Sequence, residues 1–136
     1  MIDSSLVTLI GLGVIGIAFV LLFLAPNRRA KEESGQALLY EERCTGRKRV
    51  GLGFSAGGNI PNWRISFYEN FFVIASIGTM VISYKEVESA QYKRQIFSKS
   101  VRIQVRSPRM ELVLFPKEPQ KILTIFEGKH VSVVKQ

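Results

Sequence analysis

RISFYENFFVIASIGTMVISYKEVESAQYKRQ, residues 64–95, is the stretch whose reading decides the fold. Its apolar side chains recur at every second position, with Ile65 and Phe67 on one face of the first run. That period belongs to half-buried strands rather than helices. Glu69-Asn70 and Ile77-Gly78-Thr79 carry turn composition and cut the stretch into runs 64–68, 71–77 and 80–88. A break or bulge near Ser89 then leads into 90–97. Short alternating runs separated by tight turns predict antiparallel hairpins.

Downstream the alternation continues. Ser98-Lys99-Ser100 is expected to turn the chain into 101–106, where Val101, Ile103 and Val105 face one way and Arg102, Gln104 and Arg106 the other. Ser107-Pro108-Arg109 turns again into 110–115. Upstream, 47–54 is a strand weakened by Gly51 and Gly53. SAGGNIPN, residues 55–62, has the composition of a loop and lacks the Gly-Lys-Ser/Thr ending of a phosphate-binding loop.

Beyond Pro116 the period changes. Ile122, Leu123 and Phe126 share one face at helical spacing, which predicts a helix over 120–127 packed on the sheet. Pro119 suits its first turn, Glu118 the positive end of its dipole, and Gly128 its end. Residues 130–136 form a short terminal strand or trail off.

This order, a meander of about seven strands followed by one helix, resembles the pleckstrin-homology superfold in its bacterial PH-like and GRAM-like form. The tract ISYKEVESA within 64–95 carries the resemblance, which covers residues 46 to about 128. It implies a mainly β chain, with an antiparallel β-barrel or sandwich of about seven strands closed by a C-terminal helix. Phosphoinositide-binding members place paired basic residues across the loop joining the first two strands. Here SAGGNIPN has no Lys or Arg, and Ser66 stands where a further basic residue is wanted. The resemblance thus implies the fold without a phosphoinositide site.

The amino-terminal stretch LVTLIGLGVIGIAFVLLFLA, residues 6–25, has no charge and only Thr8 as a polar side chain. As a helix it would be ~30 Å long, the thickness of a bilayer's hydrocarbon core. Gly11-Leu12-Gly13-Val14-Ile15-Gly16 within it matches the dinucleotide-binding GxGxxG. The supposed helix after it is apolar on every side, Pro26 interrupts it, and no alternation of strand and helix follows. A cleaved signal peptide wants a basic start and small residues at the cleavage site; this chain begins Met1-Ile2-Asp3 and has Pro26 behind the only plausible site. The expectation is therefore one N-terminal transmembrane helix. Arg28, Arg29 and Lys31 follow it and no Lys or Arg precedes it, which predicts a single-pass cell-membrane protein, N-terminus outside and C-terminal domain cytoplasmic. The expected organisation is an extracytoplasmic tail (1–5), a span (6–25), a charged linker (26–45) and a cytoplasmic PH-like domain (46–136).

Set Asp3 aside, and the remainder carries 19 basic and 10 acidic residues. That excess points to anionic partners. Arg28, Arg29 and Lys31 are candidates for anionic headgroup contact. Arg47, Lys48, Arg49, Lys93, Arg94, Lys99, Arg102 and Arg106 form a candidate basic binding patch, in which like charges on neighbouring strands repel unless a ligand offsets them. The expected partners are an anionic lipid surface and a second membrane or membrane-associated protein. Nucleic acid is not among them, because aromatics are not interleaved with the charges.

Catalytic residues are scarce. Cys44 and His130 are the only thiol and imidazole, so a Cys/His metal cluster is excluded. Neither a cofactor nor a catalytic constellation is expected. The function expected is a non-catalytic binding or scaffolding module at the cytoplasmic membrane face, acting through protein contacts or weak anionic-lipid contacts. The alternative is a membrane-anchored sensor or enzyme with an unrecognised glutamate-based site.

Overall fold

The computed structural model describes residues 3–24, 29–50, 55–76 and 78–135. After the N-terminal helix α1 (Ser4–Leu24) come β1 (Tyr40–Val50), β2 (Ser55–Phe67), β3 (Phe71–Ala75), β4 (Thr79–Ser83) and β5 (Val87–Arg94). These are followed by β6 (Lys99–Val105), β7 (Met110–Phe115), α2 (Pro119–Gly128) and β8 (Ser132–Lys135). One eight-stranded sheet runs β4-β3-β2-β1-β7-β6-β5-β8. Every pairing is antiparallel except β5 with β8, which α2 allows by carrying the chain back across the sheet.

The expected closed barrel or sandwich of about seven strands is corrected. The sheet is open. β8 takes the free edge of β5, so β4 and β8 remain as two edges, and a barrel needs those edges bonded.

The expected transmembrane span is corrected as well. Among the described residues no helix is long and apolar enough to cross a membrane. The helix opens on Ser4 and Ser5, and Thr8 Oγ1 donates to the Ser4 carbonyl. The single-pass topology and the cell-membrane location inferred from a span fall with it. Leu9, Leu12 and Ile17 are among its exposed apolar side chains. Arg28 lies outside the described residues, as do Gly51 and Gly53 of the weak strand.

Ile65, Phe67, Phe72, Ile74, Ile103, Leu112 and Leu114 face inward and are fully buried. α2 covers them with Ile122, Leu123 and Phe126. The Phe126 ring meets Phe67, Phe72 and Tyr84 edge-on, with centroids 5.8, 5.5 and 6.1 Å away. The Tyr84 hydroxyl donates to the Tyr68 carbonyl at 2.7 Å, tying the turn after β4 to the end of β2. Tyr84→Phe leaves that buried carbonyl short of a donor and should cost about 1–2 kcal/mol in a urea melt.

Three boundaries differ from expectation. Residues 55–62 lie in β2 rather than a loop, because β1 offers partners along its whole length: Arg49 to Ser55, Lys48 to Ala56 and Gly46 to Ile60. The turn residues are absorbed by irregularities around Gly46 and by Asn62, whose φ is +64°. The irregularity expected near Ser89 is present as a register shift between Val87 and Ser89, but run 80–88 is itself divided by the 3-10 turn Tyr84–Glu86. The β5–β6 turn also falls earlier, over Gln95 to Ser98, where the Gln95 amide donates to the Ser98 carbonyl at 2.7 Å. α2 ends as expected at Gly128, but its left-handed residue is His130, φ +61°.

Candidate functional site

The sheet has an outer face opposite α2, and strand register decides which cations share it. Arg47 of β1 stands across from Val113 of β7, Val113 across from Arg102 of β6, and Arg102 across from Gln91 of β5. With strands ~4.8 Å apart, the two arginines rise about 10 Å from each other on either side of Val113. Val113 is 1% exposed although it points away from the helix. Long basic side chains pack their stems on apolar surface in this way. Both arginines are half-buried, and the Nε of each is shielded from solvent with no hydrogen-bond partner among the described residues.

Two residues along, Arg49 faces Glu111, and Glu111 faces Gln104. Gln104 Nε2 donates to Glu111 Oε2 at 2.7 Å, while Arg49 Nη1 stays 4.0 Å from Glu111 Oε1. Glu111 Oε1 is itself shielded and accepts no hydrogen bond from the described residues. Lys93, opposite Ser100, has the same parity as Gln91 and adds a further cation to this face. Three arginines and a lysine thus share this part of the face with the carboxylate of Glu111. Buried polar groups are normally partnered, so the two Nε atoms on this row depart from the rule.

The rest of the sequence-predicted patch separates. Lys48 sits opposite Leu112 and has the inner parity. Arg94 and Lys99 face each other at the end of the β5–β6 hairpin. Arg106 lies beyond β6, beside a cleft of about 550 Å³ lined by Glu69, Tyr84, Lys85, Lys129 and His130. There Lys129 Nζ is 3.0 Å from Glu69 Oε1. Arg29 is spent internally, with Nη1 donating to Glu41 Oε1 at 2.6 Å, whereas Lys31 is exposed.

A second cluster on the outer face was not foreseen. Glu33, on a 3-10 turn at Lys31–Glu33, is buried against Arg64 and Tyr68 of the neighbouring sheet. Arg64 donates to both Glu33 oxygens, at 2.8 and 3.2 Å; the Tyr68 hydroxyl and the Ala30 amide complete the shell at 2.7 and 2.6 Å. Ser66 Oγ donates to Glu41 Oε1 at 2.7 Å. Burial pushes both carboxyls up, but hydrogen bonds from Arg64, Tyr68 and Ala30 to Glu33, and from Arg29 and Ser66 to Glu41, outweigh it and hold both low. The only sequence signal was that Arg64, Ser66 and Tyr68 alternate with the core residues of β2.

Burial, with the nearby Glu42 charge, pushes the Cys44 thiol up to about 12, so it is not a nucleophile at neutral pH. Among the described residues no group of three His, Cys, Asp or Glu could hold a metal ion.

No protein-family model and no curated protein matches the chain. Its fold is shared with a solved structure, the C-terminal domain of an unknown protein from Leishmania infantum. The match has a TM-score of 0.56 at 7% identity, over 85% of this chain and 96% of that one. At that identity the likeness concerns the fold alone.

Proposed function

We propose that this chain is a non-catalytic binding module of PH-like architecture that holds acidic groups of a partner protein on its outer sheet face. The observation carrying this reading is the Arg47–Val113–Arg102 row, with an unpartnered Nε on each arginine. The order of elements, seven consecutive strands and then a helix, supports the PH-like assignment. Two facts speak against the glutamate-based enzyme. The carboxylates of the second cluster, Glu33 and Glu41, are engaged by arginines, and their lowered pKa is the opposite of what a general acid needs at neutral pH.

The test is titration of the full chain with a short polyglutamate peptide at low and moderate salt. Arg47→Met with Arg102→Met keeps the stems over Val113 and removes the charge. Affinity should fall by roughly tenfold, equivalent to ~1.4 kcal/mol. Lys121→Met on α2, where Lys121 already pairs with Glu118 at 3.1 Å, should change it less than twofold. Equal loss in both variants would mean that net charge, not this row, does the binding.

A further inference from the structure

The β5–β6 hairpin ends in a feature that folding does not explain. Ile96 and Phe97 occupy the turn and are 92% and 99% exposed. Turn positions favour glycine and small polar residues, whose backbone or side chains suit the bend. Here two large apolar side chains project from the end of a hairpin held by the Gln95 amide and by Ser98 Oγ donating to Gln95 Oε1 at 3.1 Å. Cations surround them on both strands: Lys93 and Arg94 before the turn, Lys99 after it, all exposed.

We propose that this tip is a wedge for an anionic lipid surface. Ile96 and Phe97 enter the outer hydrocarbon while Lys93, Arg94 and Lys99 hold phosphate-bearing headgroups. This is contact by a surface turn, different in kind from a span. Two observations favour lipid over protein as the occupant. A convex tip of two side chains is far smaller than the ~800 Å² each partner contributes to a stable protein interface. Apolar residues ringed by basic ones are what a headgroup–acyl boundary accommodates, apolar part inward and charge at the phosphates. The chain's net charge of +8 adds long-range attraction to the same surface.

The tip stands at the end of the hairpin and the Arg47–Arg102 row on the face, so either can fail without the other. α1 also exposes apolar side chains, so vesicle binding by the full chain does not decide the matter; the depth of the tip does. Phe97→Trp places an indole at the tip, while the native indole of Trp63 is 2% exposed and shielded from lipid. With vesicles of phosphatidylglycerol and phosphatidylcholine, the introduced indole should shift to the blue and be quenched by brominated acyl chains. Pure phosphatidylcholine should leave it hydrated. Adding Lys93→Glu and Lys99→Glu should weaken the quenching transition by at least about 25-fold, near fivefold for each lysine lost from an anionic surface. An unquenched indole on anionic vesicles overturns the proposal, as does quenching that survives the charge reversal. Protection that appears only on adding a protein, with vesicles without effect, also overturns it and assigns the tip to protein contact.

Discussion

Arg64→Met should cost the chain about 3–5 kcal/mol, a large share of the 5–15 kcal/mol that typically holds a domain together. Arg64 is 1% exposed, and its guanidinium carries both oxygens of a Glu33 that is 6% exposed. Methionine fills most of the volume but leaves a buried carboxylate with the Tyr68 hydroxyl, the Ala30 amide and, at 3.6 Å, the Arg29 Nη1 of a half-exposed side chain. A buried pair need not exceed a hydrophobic pair in stability; the loss comes from removing one partner and stranding the other. Glu33→Gln added to Arg64→Met removes the stranded charge, so the double variant should recover part of the deficit. Urea melts followed by Trp63 fluorescence read all three proteins.

The pH dependence carries the same sign argument. Glu33 and Glu41 have folded pKa values below their unfolded ones. Their contribution is complete above the unfolded value, about 4.3, and is lost as pH falls through the lower folded values. The wild-type chain should therefore weaken below about pH 4. Without Arg64 the largest influence that holds the Glu33 carboxyl down is gone, so it takes up its proton at a higher pH than in the wild type and loses less to acid. The stability gap between the two proteins should narrow on acidification. A gap that stays constant from pH 7 to pH 3 would show that Glu33 does not feel the guanidinium.

This clamp also marks the boundary of what sequence can say. Runs 64–68, 101–106 and 110–115 were legible because each turns its apolar residues to one face, which imposes period two, and 71–77 because it is a continuous apolar run between turn residues, whose strand Phe71–Ala75 is buried on both faces. α2 was legible from Ile122, Leu123 and Phe126 for the corresponding helical reason. What escaped depends on partners distant in the chain. Arg64 looked like a solvent-facing residue of an alternating strand, and Glu33, 31 positions earlier, like one charge of a linker; nothing local says that they meet. SAGGNIPN looked like a loop because glycine and proline seldom lie in strands, yet pairing with β1 draws it out. The candidate basic patch was half legible. Parity within a strand separates Arg47 from Lys48, but only register across β1, β7 and β6 brings Arg47 and Arg102 to one row. The turn at Gln95 to Ser98 takes Ile96 and Phe97 out of the expected strand 90–97 into full exposure, and that shift made the hairpin tip visible. For residues 6–25, hydropathy alone was read as a bilayer span, which the described helix does not support.

Gly46→Ala should be as damaging as the loss of Arg64, through a different cause. Gly46 is buried in β1, and a methyl group there would lie 2.2 Å from Trp63 Cε3, 2.5 Å from Cδ2 and 2.7 Å from Cζ3. Those atoms belong to the body of a rigid ring that is 2% exposed, so no flexible end can swing away. The reason for the glycine is this close approach: β1 and β2 slip register on both sides of Gly46, and the indole lies over the gap. Relief requires the ring to leave its rotamer or the two strands to separate. Overpacking of a closed core costs about 1–3 kcal/mol, and this overlap with a ring and a strand pairing together belongs at or above the upper end. Trp63 is the only tryptophan, so its emission reports displacement directly, and a redder spectrum in the folded variant is expected. The deciding measurement is a double-mutant cycle with Trp63→Leu. That change alone leaves a cavity and should destabilise, but combined with Gly46→Ala the new methyl enters the vacated space. The two costs should fall short of additivity by about 1–3 kcal/mol. Strict additivity would place the defect in the backbone of β1 and not in the contact with the ring.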